Sequence, residues 1–399
     1  MVIGTSGQSL AIGWEIYTRT DEAFALGLVG LVQAIPMLVL TLPAGYLADV
    51  FDRRKLMIVS MLLTSATSLG LAAFSYFEGS IAIMYTLLFL DSCALRLGWP
   101  ARSALLPLLV PRDVFENAVK WRTSLTQISG VIGPAVSGFV IAWSLPAAYV
   151  ISAASTIVFI FVLLSIHVPR GTRAKRGQML KQVADGIGFV WRKKMLLGAI
   201  SLDMFGVLLG GAVYLLPIFA RDIIDLSGAG LSPEQALGWL RAAPAAGAIV
   251  TALILAHTRP MRRSGRTMLL AVSGFGAATI VFGISRNFWL SMAMLALTGA
   301  LDNISVVIRH TLVQLSTPNE MRGRVSAVNT MFISSSNELG GFESGAVASL
   351  FGPVISVVSG GVGTLLIVLV WAGLFPDLRK AGLLSETDAE DEKTPAAAP

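Results

Sequence analysis

The sequence predicts an all-α membrane protein with twelve transmembrane helices in two six-helix repeats. Three observations predict it: an apolar composition, a long series of apolar runs, and a set of residues that recurs at one fixed spacing. Of the 399 residues, 54% are hydrophobic and 14% are charged, and the mean hydropathy is +0.73. A soluble domain carries roughly 25% charged residues, so this chain has too little charge to cover a surface that faces water. The expected solvent is therefore a lipid bilayer.

The apolar runs have the length of transmembrane helices. About 20 apolar residues are needed to cross roughly 30 Å of hydrocarbon. Span 1 begins at Met1, so we expect helix 1 to be truncated or to begin partway through the bilayer. A signal peptide is the alternative for this run, but the run lacks a basic start and a small-residue cleavage site. The predicted spans are 1–17, 24–47, 56–76, 81–101, 117–143, 146–167, 195–220, 234–257, 267–285, 288–312, 325–348 and 353–374.

Basic residues lie mainly on one side of the predicted bundle. If the first loop is outside, the outer loops contain Arg19, Arg221 and Arg286, and nearly all other Lys and Arg residues outside the spans fall on the opposite side. Short loops retain positive charge on the cytoplasmic side. We therefore expect a multi-pass protein of the cell (inner) membrane with both termini in the cytoplasm.

This pattern divides the chain into four parts. Two six-helix halves, 1–167 and 195–375, flank a basic cytoplasmic linker, 168–194, and a tail, 376–399, follows. The linker holds a single acidic residue, Asp185, among many basic ones, so it can lie along anionic lipid, with a regulatory or partner-binding site as the alternative. The tail ends in Ala, Pro and acidic residues that cannot bury a core, so we expect it to be disordered.

Chemically matched residues recur when the chain is shifted by 207 residues. They lie at corresponding places in spans 4 and 10 and in spans 5 and 11, which indicates parallel half-repeats. A duplicated bundle has a seam between its halves, where a substrate can be reached from either side when one half rocks against the other. The shift places Arg102 on Arg309, Pro111 on Pro318, Asp113 on Glu320, Gly133 on Gly340, Ser137 on Ser344 and Gly138 on Gly345.

The loop after span 2 carries the sharpest local motif, Gly45-x-x-x-Asp49-x-x-Asp52-Arg53-Arg54. Asp49 ends one helix and Arg53 and Arg54 begin the next, so acid and bases can meet across a tight turn. We name Gly45, Asp49, Arg53 and Arg54 the latch and expect it to hold the inner side closed. Positive charge bias alone is the alternative, but it does not explain the Gly and Asp spacing. The loop resembles the signature motif of the major facilitator superfamily, in which a glycine stands at the position of Asp52.

Two further segments read Gly13-Trp14-Glu15-Ile-Tyr17 at the end of span 1 and Pro100-Ala-Arg102-Ser-Ala-Leu-Leu-Pro107 at the end of span 4. They extend this resemblance to the branch of enterobactin-type siderophore exporters. The resemblance covers nearly the whole chain, and it implies the major facilitator fold and secondary active transport. From the residues themselves, we interpret Glu15, Trp14 and Tyr17 as an anchor at the membrane interface, with a pocket role for the aromatic rings as the alternative.

Span 5 contains a run of small residues, Gly130, Gly133, Pro134 and Gly138. Glycines permit close approach of helices, and proline removes a backbone hydrogen bond and allows a bend. The run resembles the antiporter motif of facilitator drug exporters, although its last glycine comes one position later. A direct role in export coupling and helix packing alone both stay open.

Charged side chains inside the spans are candidates for function because they are costly in lipid. Asp91, Asp302 and Glu338 are the candidates for coupling transport to protons or another ion, and structural pairing is the alternative. Asp203 and Glu343 lie nearer the ends of their spans and are weaker candidates.

Polar and aromatic side chains in the spans are candidates to line a substrate cavity. An arginine such as Arg96 or Arg241 can orient an anion while aromatic side chains cover rings, which suits an anionic or catecholate-like amphipathic molecule. Alternatively, Arg96 neutralises Asp91 or Asp203. The cavity candidates are Gln8, Arg96, Trp99, Arg241, Asn303, Phe332 and Asn337.

Several classes of protein are disfavoured. His167, His257 and His310 fall at helix ends, and no nucleophile, metal-binding or phosphate-loop pattern accompanies them, so we do not expect an enzyme. We expect no metal, no cofactor and no nucleic acid, and a monomer whose partners are lipid, a small-molecule substrate and protons or another coupling ion. The sequence therefore predicts a proton-coupled exporter of a siderophore-like or drug-like compound. A gradient-driven importer is the main alternative, and a channel or a membrane sensor is a further one.

Overall fold

The regular structure of the described residues is helical, apart from one isolated bridge between Asp225 and Asn287. The computed structural model describes residues 1–111, 113–166, 179–258, 263–380 and 382. In chain order the helices are α1 (Val2–Thr20), α2 (Ala23–Val50), α3 (Arg53–Tyr76), α4 (Ile81–Leu109), α5 (Phe115–Trp143), α6 (Leu145–Ser165), α7 (Met179–Arg192), α8 (Lys194–Leu209), α9 (Leu216–Ile218), α10 (Pro233–His257), α11 (Ser264–Ile284), α12 (Phe288–Leu315), α13 (Asn319–Phe351), α14 (Pro353–Leu374) and α15 (Pro376–Lys380).

Within the described chain, ten stretches are long and apolar enough to cross a membrane. They correspond to α2 to α6, to the stretch Lys194–Ile223 that begins with α8, to α10 to α12 and to α14. The two other predicted spans correspond to α1 and α13, whose sequences include the polar residues Gln8, Glu15, Glu338 and Glu343. The presence of twelve spans therefore stays a prediction, because length and composition support ten spans among the described residues.

Side-chain caps explain where several helices begin. The Asp52 carboxylate accepts a hydrogen bond from the backbone N–H of Lys55 at 3.1 Å and caps α3. Ser232 and Gln235 form a reciprocal capping box at the start of α10. Capping accounts for an acid at position 52, where the resembling motif has glycine, because a carboxylate satisfies an N–H that the helix leaves free.

The seventh predicted span is broken, whereas the sequence predicts one helix over 195–220. Helix α8 ends before Gly210 and Gly211, and a 3₁₀ turn (Ala212–Leu215), α9 and a π turn (Phe219–Ile223) follow. A Cβ built at Gly211 would lie 2.7 Å from the carbonyl oxygen of Gly340 on α13. The break therefore brings the backbone close to α13, which only a residue without a side chain allows.

Two groups of helices meet along two lines of contact. We name α1 to α6 the N-terminal group and α8 to α14 the C-terminal group; α2 packs along α13, and α5 packs along α10. A Cβ built at Gly138 of α5 would lie 2.9 Å from the Cα of Gly238 on α10. Gly27 of α2 meets Gly345 of α13 in the same way. These contacts join the groups at the end that carries the α1–α2 turn, which we name the closed end.

The opposite end, with the α2–α3 loop and the start of α5, is less covered, and we name it the open end. Residues 119–128 of α5 are all exposed, including Trp121 and Leu125. A helix packed on one side would alternate between buried and exposed positions, so no described part of the chain covers a face of this stretch. The groups therefore separate towards the open end.

The linker and the tail are partly ordered. Helix α7 packs against α13, where Arg324 contacts Asp185 at 3.1 Å. In the tail, α15 buries Leu378 completely against a cluster with α8 and α11, which corrects the prediction of disorder for residues 376–380. One leucine at the right spacing after α14 is enough to dock this turn. The rest of the predicted tail, apart from Gly382, and linker residues 168–178 lie outside the described residues.

Candidate functional site

A cavity of about 280 Å³ lies between the two groups. A second cavity of about 60 Å³ adjoins it, because Ser9 and Gln33 line both, and its other residues include Tyr214 and Arg241. The larger cavity is lined by Thr5, Gln8, Ser9, Ile12, Gln33, Leu88, Asp91, Ser92, Leu95, Arg96, Trp99, Arg102 and Glu338. The larger cavity thus brings together five predicted candidates, Gln8, Asp91, Arg96, Trp99 and Glu338. A sixth, Arg241, lines the adjoining cavity.

Neutral donors hold Asp91 in the wall of this cavity. Gln8 of α1 donates to Asp91 Oδ2 at 3.0 Å, and Thr67 of α3 donates to Asp91 Oδ1 at 3.0 Å. Ser68 in turn donates to Gln8 Oε1 at 2.6 Å and fixes the amide. Asp91 is 5% exposed, and no cation pairs with it among the described residues. Its carboxyl group is therefore set by hydrogen bonds rather than by an ion pair.

An ion pair crosses from one group to the other inside the cavity. Arg96 Nη2 of α4 lies 3.3 Å from Glu338 Oε1 of α13, and the Tyr214 hydroxyl donates to Glu338 Oε2 at 2.8 Å. Arg241 is close enough to act electrostatically on Glu338 and Tyr214. The alternative in which Arg96 neutralises Asp91 or Asp203 is wrong, because its carboxylate partner is Glu338.

Arg102 is a cavity residue that the reasoning on cavity candidates missed. Its Nη2 contacts the sulfur of Met1 at 3.4 Å, and its buried Nε has no hydrogen-bond partner among the described residues. The 207-residue shift aligns Arg102 with Arg309, and this match was the sequence signal that could have identified Arg102 as a functional candidate. Tyr214, Thr67 and Ser68 were missed because uncharged polar residues do not stand out in an apolar span.

The C-terminal group holds a second cluster of charges. Asp203 of α8 and Arg309 of α12 form an ion pair, with side chains 3% and 1% exposed. Asp302 lies one and a half to two turns before Arg309 on α12 and lines a cavity of about 10 Å³ together with Asp203 and Ser305. Asp302 is thus placed apart from Asp91 and Glu338, although the sequence grouped the three.

Three predicted cavity residues do not line either of these two larger cavities. Asn303 donates to the carbonyl oxygen of Ala248 at 2.6 Å and ties α12 to α10. Phe332 packs beside the apolar cluster of α8, α12 and α13. Asn337 is exposed and donates to the carbonyl oxygen of Ile333, and the weaker candidate Glu343 accepts from Ser344 at 3.4 Å. Their roles as substrate contacts stay predictions.

The latch is described in part. Arg54 donates to the carbonyl oxygens of Leu163 and Leu164, at 3.1 Å and 2.7 Å, at the end of α6. Arg53 Nε donates to the carbonyl oxygen of Ala48 at 3.4 Å. The side chain of Asp49 lies outside the described residues, and Gly45 lies one turn earlier on α2. Arg54 therefore caps α6, and the pairing of Asp49 stays a prediction.

The small residues of α5 lie at contacts between helices. Gly133 faces Ser6 of α1, and Gly130 and Gly138 face α10, with Pro134 in the turn between them. A Cβ built at Gly238 of α10 would lie 2.7 Å from the Pro134 carbonyl oxygen. Close packing is thus the described role of this run.

Charged pairs between the groups reinforce the closed end. The Tyr17 hydroxyl of α1 donates to Asp222, and Arg221 contacts Asp21 at 2.6 Å. The Arg221 guanidinium also lies over the Tyr17 ring, 5.4 Å from its centroid. These contacts join the α1–α2 turn to the π turn that follows α9.

The interpretation of Glu15, Trp14 and Tyr17 as an anchor at the membrane interface is wrong. Glu15 is fully buried, lies 2.5 Å from Arg19 and accepts from the Tyr149 hydroxyl at 2.7 Å. Trp14 and Tyr17 are 6% and 7% exposed. Because Glu15 is held inside the bundle by its partners Arg19 and Tyr149, this end of α1 is held there. The aromatic side chains of Trp14 and Tyr17 therefore pack inward rather than towards lipid.

Comparison with known proteins agrees with this architecture. Residues 2–394 match a family of the major facilitator superfamily described as "Transmembrane secretion effector". The chain is 27% identical over 377 residues to the enterobactin exporter EntS of Shigella boydii serotype 18 and to that of Escherichia coli O1:K1 / APEC, covering 93% of this chain and 88% of theirs.

Solved structures are similar in fold. A bacterial homologue of the human lysosomal transporter Spinster, in an inward-facing and unoccupied conformation, gives a TM-score of 0.69 at 15% identity, with 99% of this chain and 96% of that chain covered. A mutant of the peptide transporter POT gives 0.74 at 12% identity, with 95% and 92% covered. The chain therefore belongs to the transmembrane secretion effector family of the major facilitator superfamily and is a membrane transporter rather than an enzyme.

Proposed function

We propose that this protein is a proton-coupled exporter of a small amphipathic anion, and that it works by alternating access. The observation that carries the proposal is the cavity between the two helix groups, crossed by the Arg96–Glu338 pair, with one end of the bundle closed and the other open. A site between two rigid groups can be exposed to one side at a time when the groups rock.

The two groups serve as two six-helix halves, with α1 and α13 completing the twelve spans. Both helices contribute polar residues to the central cavity, which accounts for their lower hydropathy. Polar residues inside a membrane bundle face a cavity or a partner rather than lipid.

The open end lies in the cytoplasm under this proposal. Most Lys and Arg residues of the described loops and of α7 lie at that end, whereas Arg19, Arg221 and Arg286 lie at the closed end. This asymmetry is the one that the positive-inside rule gives for cytoplasmic segments. The present conformation would then load substrate from the cytoplasm, which is the loading step of an exporter.

The substrate fits an anion with aromatic rings. Arg96, Arg102 and Arg241 offer guanidinium groups around the two adjoining cavities, and Trp99 and Tyr214 offer ring faces. Guanidinium groups bind planar anions and stack on rings. Because the relatives are named as enterobactin exporters, a catecholate siderophore is the first compound to test.

Coupling requires a carboxyl group that binds and releases a proton during the cycle. Asp91, Asp302 and Glu338 are the candidates, and each lines a cavity. The number of these carboxyl groups that bind and release a proton sets the number of protons carried in each transport cycle.

The test is transport of a compound panel that includes enterobactin. Cells with the protein should accumulate less of the exported compound than cells without it, and a proton uncoupler should restore accumulation. Inside-out vesicles should take up the compound when acidified inside, and a proton uncoupler should abolish this uptake. Higher accumulation in cells with the protein would show import and overturn the proposed direction.

A further inference from the structure

The small cavity of the C-terminal group has the size of a single water molecule. Its volume is about 10 Å³, and a cavity of about 10 to 15 Å³ holds one water. Its polar lining consists of Asp203 on α8 and of Asp302 and Ser305 on α12, and the remaining lining residues are apolar or glycine. It shares no lining residue with the cavities that contain Asp91, Glu338 and Arg241.

The charges around this cavity do not balance. Asp203 is paired with Arg309, whereas Asp302 has no ion-pair or hydrogen-bond partner in the described part of the chain. Helix α11 contributes only Val272 and Phe275 to the lining, so it brings no charge. Next to Arg309 along α12, His310 is the other titratable group, and it is exposed. Two carboxyl groups thus line this cavity, and only Asp203 is paired with a guanidinium group.

A hydroxyl group without a partner also faces the cavity. Ser305 is 1% exposed, and its Oγ has no hydrogen-bond partner among the described residues. A buried hydroxyl in this state is costly unless a ligand completes its hydrogen bonds. The cavity therefore lacks one small ligand that can bond to both a hydroxyl and a carboxyl group.

A proton with one water satisfies these requirements better than a metal cation. Two carboxyl groups in a medium of low dielectric constant cannot both ionise at low cost beside a single guanidinium, so one of them favours a proton. Hard cations such as Ca²⁺ take six to eight oxygen ligands, and this cavity offers two carboxyl groups and one hydroxyl with Arg309 beside it.

We propose that Asp203, Asp302 and Ser305 form the proton-binding site of the transporter, separate from the substrate cavity. When Asp302 is protonated, an O–H bond of hydronium breaks and an O–H bond forms on the carboxylate, leaving a water molecule. On release the carboxyl O–H bond breaks and water becomes hydronium again. Arg309 holds Asp203 ionised, so Asp302 is the group that changes charge. This proposal rests on the proposed proton coupling and assigns it to one of the three candidate carboxyl groups.

The test is infrared difference spectroscopy of the purified full-length protein in lipid, titrated with acid. The wild-type protein should show the C=O band of a buried protonated carboxyl group. Asp302→Asn should lose this band, whereas Asp91→Asn, Glu338→Gln and the matched control Glu343→Gln should keep it. Retention of the band in Asp302→Asn would overturn the proposal, and so would its loss in Asp91→Asn or Glu338→Gln alone.

A second variant covers the case in which Asp302→Asn does not fold. Ser305→Ala removes only a hydroxyl group. It should shift the carboxyl band without removing it, because the water that bonds to the Asp302 carboxyl group loses its other partner. An unchanged band would contradict the proposed site. If sodium raised the melting temperature of the wild-type protein more than choline did, and Asp302→Asn abolished this difference, the site would bind a metal cation instead of a proton. The spectrum does not depend on transport, so a failed transport assay and a failed proton site are told apart.

Discussion

The two ends of the bundle are held in different ways. At the closed end, backbones touch at Gly138 and Gly238, and the Tyr17–Asp222 and Arg221–Asp21 contacts join the two groups. At the open end, residues 119–128 of α5 are exposed, and the described contact of Arg54 stays within the N-terminal group, on α6. The closed end thus combines close backbone approach with polar contacts that cross between the groups, and the described contacts of the open end include neither.

The largest expected effect comes from blocking the backbone contact. Gly138→Leu places a side chain where a Cβ alone would lie 2.9 Å from the Cα of Gly238, so the closed end becomes less favourable. Overpacking costs about 1–3 kcal/mol, which corresponds to a shift of roughly 5- to 150-fold in a two-state equilibrium. Transport in vesicles should fall by a factor in this range. Gly373→Leu on α14 is the matched control, because no atom lies within 4 Å of a Cβ there. Equal transport in both variants would contradict the account.

A second change removes the cation of the Arg96–Glu338 ion pair, which joins the two groups inside the cavity. Arg96→Gln should weaken binding of anionic substrates about tenfold or more, because a hydrogen bond to a charged group contributes about 1.5–3 kcal/mol. Equilibrium binding of a labelled catecholate measures it. Lys120→Gln is the control, since Lys120 pairs with Glu116 at an exposed site on α5. Unchanged affinity in Arg96→Gln would move the anion site away from Arg96.

A third change sharpens the role of the closed-end contacts. Tyr17→Phe removes the hydroxyl that donates to Asp222 across the groups. Tyr85→Phe, the control, removes a hydroxyl that donates to the Ala25 carbonyl oxygen within the N-terminal group. A hydrogen bond contributes about 1 kcal/mol, so the closed end should open about fivefold more often in Tyr17→Phe alone.

The measurement is labelling of a cysteine placed at Val29, which lines the smaller central cavity, in a Cys93→Ser background. An impermeant thiol reagent added at the closed end should react about fivefold faster in Tyr17→Phe than in Tyr85→Phe. Equal rates would mean that the Tyr17–Asp222 bond does not hold this end.

The smallest expected effect belongs to the latch. Asp49→Asn should slow turnover a few-fold at normal protein level, because an exposed ion pair contributes only about 0 to 1 kcal/mol. Asp52→Asn is the control, since asparagine caps a helix nearly as well as aspartate. Wild-type transport in Asp49→Asn, measured as initial rates in vesicles, would remove the latch from the account.

Apolar runs predicted most of the spans because hydropathy is a local property. The break in the seventh span was not predictable from hydropathy, since Gly210 and Gly211 lie within an apolar run, and α15 was missed because a single leucine, Leu378, docks it. The span 325–348, which corresponds to α13, was predicted as an apolar run, and its Gly340 and Gly345 match Gly133 and Gly138 of span 5 at the fixed shift.

The candidate site was predicted in part. Charge inside the spans identified Arg96 and Glu338, but not their pairing, because 242 residues separate them in the chain. Conversely, Asn337 was chosen next to Glu338 although its side chain turns back to its own helix at Ile333. Sequence thus indicates which groups are costly in lipid, and only the packing of the two groups indicates which of them meet.

The most direct test of alternating access is to measure spin-label distances across both ends in the same protein. In the Cys93→Ser background, one label pair at Ser80 and Ser227 reports on the closed end, and another at Thr123 and His257 reports on the open end. Adding a catecholate that vesicles transport should lengthen the first distance and shorten the second in the same molecules. Distances that both stay constant, or that change in the same direction, would contradict alternating access.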